Sequence, residues 1–360
     1  MTDVNAKFKV AKTRLIHGIN SLTPRSWSKA SFTIIEQVID FVLINSILHH
    51  LYKPRGRPAY SKMALFKAVI LQRLEDWQFD TVLVQKLQEI EEYRQFCSFK
   101  TNHVPSHDTI SRFKRNLPPN LMDRIFFQLD EELAALGTFK DDELAIDAMD
   151  VATYANPFNR TDPDAGVGHK SSKKHFYGYW ELLTVGTKSE LVRLPPLTNS
   201  GSKHQITQME ELLITLPGHS QLDYTIITAD GIFDTKPIHQ YILDDLHKLP
   251  VITYNPKKSR YKRLEDLPKE NWRYFNPLLA DLPTYHATRK TRTAIERFNG
   301  RLKDQLHMRR SNVRGRENNH KFVYFGIISS QLKSLALQCL IHSRLKTVQS
   351  SLLHFMGGTN

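Results

Sequence analysis

The chain has 360 residues with 50 Lys and Arg against 37 Asp and Glu, a formal net charge of +13 and a pI near 9.5. This length allows a large core and more than one domain, and the surplus of positive charge favours an acidic partner, of which nucleic acid is the commonest. Only Cys97 and Cys339 occur, which argues against a disulfide framework and for a reducing compartment. The histidines form no His-Glu-x-x-His pattern and no Cys/His cluster, which argues against a zinc site.

Nothing in the sequence indicates a membrane protein. The first residues, MTDVNAKFKVAK, lack the apolar centre of a signal peptide. The most apolar stretch, residues 32–51, carries Glu36, Asp40 and two His, so it predicts a buried helix and not a membrane span. We therefore expect a cytoplasmic protein with no membrane partner.

Helical patterns fill the first third of the chain. They predict a helix over 30–52, which the basic, Pro-rich residues 53–62 end. A second helix follows Ser61 as N-cap, and a third begins after Asp80. A short basic helix in VPSHDTISRFKRNL and a helix over 121–136 complete a helical domain over residues 1–138.

Two basic features of this domain are candidates for DNA contacts. In the short helix, Ile110 and Phe113 face inward and leave Arg112, Lys114 and Arg115 to face outward, as in a recognition helix. The gap to the preceding helix, however, is longer than in an ordinary helix-turn-helix. Arg55 and Arg57 lie in PRGRP, which resembles the arginine arm of minor-groove binders. A plain basic linker is the alternative for that segment.

From Glu143 the pattern becomes rich in strands. Strands are predicted over 144–152, 176–185 and 189–195, and Gly186 joins the last two in a hairpin. A helix opens at Ser202, a fourth strand ends at Asp230, a helix spans 235–247, and LPVITYN supplies a fifth strand. A basic amphipathic helix follows, whose apolar stripe consists of Ile295, Phe298, Leu302 and Leu306.

Three acids stand where a carboxylate calls for an explanation. Asp147 lies in the middle of an apolar strand, where it is costly unless something binds it. Asp230 ends another apolar run just before Gly231, at a strand end of the kind where α/β folds expose their chemistry. Glu296 lies in the basic helix, where simple pairing with Arg292 is the alternative to a ligand role. Together the three oxygen donors suit Mg²⁺ or Mn²⁺.

Two neighbouring acids are weaker candidates for the same role. Asp150 lies three residues after Asp147, so on a continuous strand it points to the opposite face. Asp234 precedes a helical pattern with Pro237 in its first turn, which favours an N-cap.

With these residues in place, the chain resembles the DDE transposases of bacterial insertion sequences, whose catalytic domain has the RNase H-like fold. Their signature spaces Tyr, Arg, Glu and Lys by two, three and six residues; Arg292, Glu296 and Lys303 occupy its last three positions, and Arg289 stands at the Tyr position. Asp147 and Asp230 match the first and second acids. The segments TDPDAG at 161–166 and YGYW at 177–180 are similar to a loop and strand of the same group.

The resemblance implies an α/β fold with an RNase H-like mixed five-stranded sheet over residues 139–345, flanked by helices, followed by a tail over 346–360. It implies a DNA transposase that cuts transposon ends and joins their 3′-hydroxyls to target DNA. Asp147 and Asp230 are expected to bind one Mg²⁺ or Mn²⁺ ion, and Asp147 and Glu296 a second. The expected DNA contacts are Arg289, Arg292, Arg301 and Lys303 here, and Arg55, Arg57, Arg112 and Lys114 in the helical domain.

The implied partners are double-stranded DNA, as terminal inverted repeats and as target, and a second copy of the chain in a homodimer. The helical domain is expected to bind the DNA ends and to take part in dimerisation, in a prokaryotic, nucleoid-associated setting. Two alternatives stay open. One is an RNase H-like nuclease without strand transfer, and the other is a catalytically silent, transposase-derived DNA-binding protein.

Overall fold

The computed structural model describes residues 35–36, 41–49, 51, 60–158, 161–171, 173–219 and 222–356. The chain forms two compact units, residues 1–138 with 328–360, and residues 139–327. Arg55, Arg57 and part of the helix predicted over 30–52 lie outside the described residues. None of the helices described is long and apolar enough to cross a membrane.

The first unit is helical, as predicted. Ser61 caps its second helix, because the Ser61 hydroxyl accepts a hydrogen bond from the backbone N–H of Ala64 at 3.3 Å. Every residue of this helix from Ala64 to Leu74 is buried, so the helix is central to its unit and does not present a single inner face. The helices are α1 Phe41–His49, α2 Lys62–Leu74, α3 Asp80–Glu89, α4 Glu91–Cys97, α5 His107–Asn116 and α6 Pro119–Ala135.

The candidate recognition helix α5 corrects one expectation. Ile110 and Phe113 are buried and Arg112 is exposed, as predicted. Lys114 does not face outward, because its ammonium pairs with Asp80 at the start of α3 and its side chain is only 11% exposed. Burial lowers the pKa of Lys114 to about 8. The outward orientation predicted for Lys114 is therefore wrong: an acid on a neighbouring helix draws it inward.

The second unit is built on a mixed sheet. Its strands are β1 Glu143–Thr153, β2 Gly166–Ser171, β3 Lys174–Gly186, β4 Leu197–Ser200, β5 Ile226–Ala229, β6 Leu249–Ile252 and β7 Arg310–Ser311. Five of them run in the order β2-β3-β1-β5-β6, while β4 pairs with β3 and β7 with β1. The β2–β3 and β3–β1 pairs are antiparallel, and β1, β5 and β6 are parallel. This is the mixed five-stranded RNase H-like arrangement that the sequence predicted, extended by two short strands.

The strand predicted over 189–195 forms later along the chain. The segment itself makes an isolated antiparallel bridge between Val185 and Val192, and a regular antiparallel ladder with β3 begins at β4, Leu197–Ser200. Pro195 and Pro196 have no N–H to donate and interrupt the ladder between the two. The predicted hairpin through Gly186 is therefore present, with its second strand displaced. On its other edge β3 pairs with β2, whose glycines Gly166 and Gly168 interrupt the alternation that would have revealed it.

The α-helices of this unit are α7 Gln205–Thr215, α8 Lys236–Gln240, α9 Leu282–Thr291 and α10 Thr293–Gln305. A last helix, α11 Arg316–Met356, begins in this unit, and its residues from 328 onward belong to the first. His204 caps α7, so this helix begins later than the predicted Ser202. A core cluster of this unit joins β1, β3, β5 and β6 to α7 and α8 through residues such as Ile146, Leu182, Met209 and Ile238. Helix α11 runs through residue 346, where the sequence predicted the start of a tail.

Candidate active site

The first two acids are brought side by side by the sheet. In the parallel β1–β5 ladder, Ile146 pairs with Ala229, so the next residues along the two chains are Asp147 and Asp230. Side chains at equivalent positions of neighbouring strands point to the same face. Asp230 follows the last residue of β5 and leads into a short 3-10 turn, Gly231–Phe233. The pairing thus places two carboxylates at the carboxyl end of β5.

Gly231 makes this strand end tight. A Cβ atom added at Gly231 would lie 2.9 Å from the carbonyl oxygen of Thr253, just beyond the end of β6. No side chain fits there without a shift of backbone. A glycine after Asp230 therefore lets the neighbouring strand end approach closely.

The charges of the other two acids affect the pKa of Asp147. Burial raises the pKa of Asp147 to about 6; the positive charge of Arg292 opposes this shift, and the negative charges of Asp230 and Glu296 add to it. Asp147 lies opposite Leu183 of β3 and is half-buried. Two neighbouring negative charges disfavour the ionised form of this carboxyl group, and a bound cation would stabilise that form.

Glu296 forms the ion pair that was considered as the alternative to a ligand role. It lies in the first turn of α10, its side chain is 50% exposed, and Arg292 donates to its Oε1 at 2.5 Å. The predicted ion pair is therefore present, although Glu296 also contributes to the field at Asp147. Within the described residues, no three His, Cys, Asp or Glu side chains lie close enough to hold a metal ion as they stand.

Asn299 is a polar neighbour whose role the sequence left unassigned. Its amide nitrogen lies 3.5 Å from Oδ2 of Asp147, and the residue is only 9% exposed. The amide oxygen is buried and has no hydrogen-bond partner within the described part of the chain. The available signal was its spacing of three residues from Glu296 on one helix face. Asn299 adds a neutral oxygen donor beside the acids.

The donor set fits a hard divalent cation in its chemistry. Asp147, Asp230 and Glu296 supply carboxylate oxygens, and Asn299 leaves a buried amide oxygen unpaired, all of which are ligand types that Mg²⁺ and Mn²⁺ accept. Glu296 is paired with Arg292 in this structure, so binding a cation would require a change of its rotamer. Because the Glu296 side chain is half exposed, such a change of rotamer meets little packing.

Helix α10 is fastened by a second carboxylate that the sequence did not reveal. Arg297 donates to Glu190 Oε1 at 2.7 Å, and Arg301 donates to Oε2 at 2.5 Å and to the Glu190 backbone oxygen at 2.9 Å. The Glu190 side chain is 4% exposed. Burial alone would raise the pKa of Glu190, but the two arginines lower it below its ordinary value. Arg301 is thus held inside the protein by an acid more than 100 positions away.

Lys303 is also engaged within the protein. Its ammonium donates to Asp150 Oδ1 at 2.8 Å, and Lys170 of β2 pairs with the other oxygen of Asp150. The β1–β3 register is continuous from Asp147 to Asp150, but α10 reaches both acids, Asp147 through Asn299 and Asp150 through Lys303, so their opposite orientation stays a prediction. Asp150 is therefore the partner of two lysines.

Asp234 corrects a further expectation. Its carboxylate is 2% exposed and accepts from Arg273 Nη2 at 2.8 Å and from the backbone N–H of Asn255 at 2.9 Å. The residue at the N-cap of α8 is Thr235. Burial alone would raise the pKa of Asp234, yet bonds from His239, Arg273 and Asn255 lower it. The N-cap interpretation is wrong: Asp234 does not occupy the N-cap position, and its carboxylate instead pairs with the distant Arg273.

The loop and strand singled out by their sequence are joined in the structure. Asp162 of TDPDAG is fully buried and accepts from the Tyr179 hydroxyl of YGYW at 2.8 Å. It also accepts from the backbone N–H of Gly315 at 3.1 Å, and Asp164 accepts from that of Arg316 at 3.0 Å. These acids therefore fasten the start of α11, a suitable place for negative charge.

Trp272 packs edge-on against the His239 ring at 4.9 Å and beneath the Arg273 guanidinium at 4.2 Å, so its ring contributes to packing within this unit. Arg289 lies half-buried in the last turn of α9. The DNA contacts expected of Arg289, Arg292, Arg301, Lys303 and Arg112 stay predictions.

Comparison with known proteins gives two family matches. The model described as "Transposase DDE domain" matches residues 138–332, and that described as "Transposase domain (DUF772)" matches residues 23–116. No curated protein sequence matches the chain. Among solved structures, a piggyBac transposase synaptic complex with hairpin DNA is similar at 12% identity and a TM-score of 0.43, covering 85% of this chain and 72% of that one. A Mos1 transposase paired-end complex with left transposon end is similar at 12% identity and a TM-score of 0.22, covering 71% and 81%. Both structural similarities are low.

Proposed function

This chain belongs to the family of proteins with a transposase DDE domain, and we propose that it cuts the ends of a DNA element and joins their 3′-hydroxyls to target DNA, with Asp147, Asp230 and Glu296 as the catalytic acids. The observation that supports this proposal best is the strand register that sets Asp147 beside Asp230. The contribution of Glu296 to the pKa of Asp147 brings in the third acid.

In this proposal Asp147 and Asp230 hold one divalent cation, and Asp147 and Glu296 hold the second. Bound Mg²⁺ or Mn²⁺ would supply Lewis-acid activation of the attacking hydroxyl and stabilise the leaving oxygen. Asp147 accepts the N–H of Asn299, which orients its carboxylate. Ionised Asp147 is the form that binds a cation, and its raised pKa means that protons compete with the cation for this carboxylate.

The basic side chains have assigned places in the same proposal. When Glu296 turns away, Arg292 is released to bind a phosphate, and Arg289 lies in the preceding helix. Arg301 and Lys303 would reach DNA only by exchanging Glu190 and Asp150 for phosphates. Duplex DNA is the proposed partner, and a homodimer is proposed because two ends must be handled together. Arg55, Arg57 and Arg112 are proposed contacts of the helical unit with DNA.

The test compares wild-type protein with Asp147→Asn, Asp230→Asn and Glu296→Gln on DNA carrying the element ends, with Mg²⁺ or Mn²⁺. We expect each variant to lose cleavage by on the order of a thousandfold, as removal of a member of a cooperating set does, while DNA affinity is kept. The matched control is Asp304→Asn, an exposed acid on α10 paired with Arg309, which should cleave like wild type.

Each other outcome has a distinct meaning. Cleavage unchanged in Glu296→Gln removes Glu296 from the site. Cleavage without joining to a second DNA identifies a nuclease. Tight DNA binding by every protein with no cleavage by the wild type identifies a silent DNA-binding protein.

A further inference from the structure

A second basic surface of this unit lies outside α10. Residues 257–263, KKSRYKR, carry five Lys and Arg and no acid; we name them the basic segment. Its members Lys257, Arg260, Lys262 and Arg263 are exposed. Lys257 and Lys262 make no ion pair with any described residue, in contrast to Arg292, Arg301 and Lys303.

The basic segment begins beside the candidate active site. Asn255, two residues before it, donates from its side-chain amide to the backbone oxygen of Gly231 at 3.0 Å, and Gly231 directly follows Asp230. The Asn255 backbone N–H donates to buried Asp234 at 2.9 Å, which Arg273 holds in turn. Two bonds from one residue therefore fix the start of the basic segment to the loop after β5.

The basic segment is also packed along its length. The Tyr254 hydroxyl donates to the backbone oxygen of Tyr261 at 2.9 Å. Tyr254 and Tyr261 pack on a small core cluster that includes Val251, Leu264 and Tyr285. The tyrosines thus face inward while Lys257, Arg260 and Lys262 face solvent. A cationic surface with its backbone already ordered binds a polyanion at a lower entropy cost than a free tail does.

Local acids leave most of this charge uncompensated. Arg263 pairs with Asp266 at 3.0 Å, and Arg260 lies over the Tyr261 ring at 4.9 Å and donates to its hydroxyl at 2.7 Å. Glu265 is engaged with His286 at 3.0 Å. Lys257, Arg260 and Lys262 therefore remain as three cations with no carboxylate partner among the described residues.

We infer that the basic segment binds the sugar-phosphate backbone of duplex DNA beside the position that the three acids cut. The inference rests on the proposed function for its partner, and it adds a surface that the sequence did not single out. Lysine and arginine contacts to phosphate set the position of a duplex without reading its sequence. The basic segment is therefore a positioning surface and not a source of sequence specificity.

The test measures binding of a fluorescein-labelled duplex of unrelated sequence, in EDTA, over a range of salt concentrations. The triple variant Lys257→Ala, Arg260→Ala, Lys262→Ala should reduce the slope of log affinity against log salt by about 3 and weaken binding at least about tenfold. The matched control removes the same charge elsewhere in the unit through Lys140→Ala, Lys188→Ala, Lys203→Ala, and should change the slope little.

The outcomes separate cleanly. Equal slopes for both triple variants would mean that net charge alone matters, and an unchanged slope in the first triple variant would remove the basic segment from the interface; either result overturns the inference. An unchanged thermal midpoint shows that the exposed substitutions leave the fold intact. Failure of the wild type to cut element ends would instead refute the proposed function, whatever the slopes are.

Discussion

Helix α10 and the basic segment are both rich in Lys and Arg, yet their charges face different partners. On α10, Glu296 pairs with Arg292, Glu190 binds Arg297 and Arg301, and Asp150 holds Lys303. In the basic segment, Lys257 and Lys262 have no such acid within the described chain. The difference teaches that a count of cations in a sequence does not locate a polyanion surface, because folding neutralises some cations from positions far away.

The paired cations of α10 hold this helix in a fixed orientation. Buried ion pairs are directional and costly to break one partner at a time, so Glu190 fixes the rotation of the helix that carries Glu296. The cations of the basic segment act on affinity, because each phosphate contact releases counterions from DNA. Four substitutions test whether the cations of the two regions differ in this way.

The largest effect on stability is expected at Glu190. Glu190→Ala leaves two arginines without their buried partner, so the free energy of unfolding should fall by about 4 kcal/mol. Urea unfolding of the metal-free protein measures this. Glu190→Gln keeps the shape and should lose less. If both variants unfold like wild type, the ion pairs of α10 do not stabilise the fold, and the proposed difference between α10 and the basic segment is contradicted.

The next effect concerns Asp147, the acid that α10 covers. Its native pKa near 6 lies above the ordinary value of 3.8, so the native state keeps a proton that the unfolded chain has lost, and stability falls as pH rises between these values. Asp147→Asn removes that cost and should stabilise the protein by roughly 3 kcal/mol at pH 7.

Unfolding in EDTA at several pH values checks this prediction. The gain from Asp147→Asn should shrink as pH falls and approach zero below about pH 3, where the wild-type carboxyl is protonated in both states. A gain that does not vary with pH would show that the cause is packing and not charge.

A smaller effect is expected for Lys303→Met. This change removes a half-buried pair with Asp150 and should cost about 1 kcal/mol of unfolding free energy, with little change in the salt slope of DNA binding. Fluorescence anisotropy across salt concentrations provides the slope. A slope reduced by about 1 would instead give Lys303 a phosphate contact, as first predicted from the sequence.

The smallest effect on stability is expected for Lys257, where the prediction is the reverse of that for Lys303. Lys257→Met should leave the unfolding free energy within about 0.5 kcal/mol of wild type, as most surface changes do, and reduce the salt slope by about 1. The same two assays apply. Loss of stability with an unchanged slope would place Lys257 with the structural cations of α10.

Local patterns in the sequence determined a large part of this protein. Apolar runs located β1, β3, β5 and β6, and helical spacing located α2, α5 and α10, because short-range periodicity reports which face of an element is buried. The three acids were found because a carboxylate in an apolar strand, at a strand end or in a basic helix is costly without a partner. Strand β2 was not predicted from the sequence, because its glycines interrupt the periodic pattern.

Only the tertiary structure decided which side chains meet. The register of β1 against β5 set Asp147 beside Asp230, Arg273 completed Asp234, and Glu190 fastened α10 from a loop that the sequence assigned to a strand. It also turned Lys114 inward and left Lys257 and Lys262 outside. The physical reason is that an ion pair joins residues distant along the chain, so its partner is fixed by packing and register, which no local pattern records.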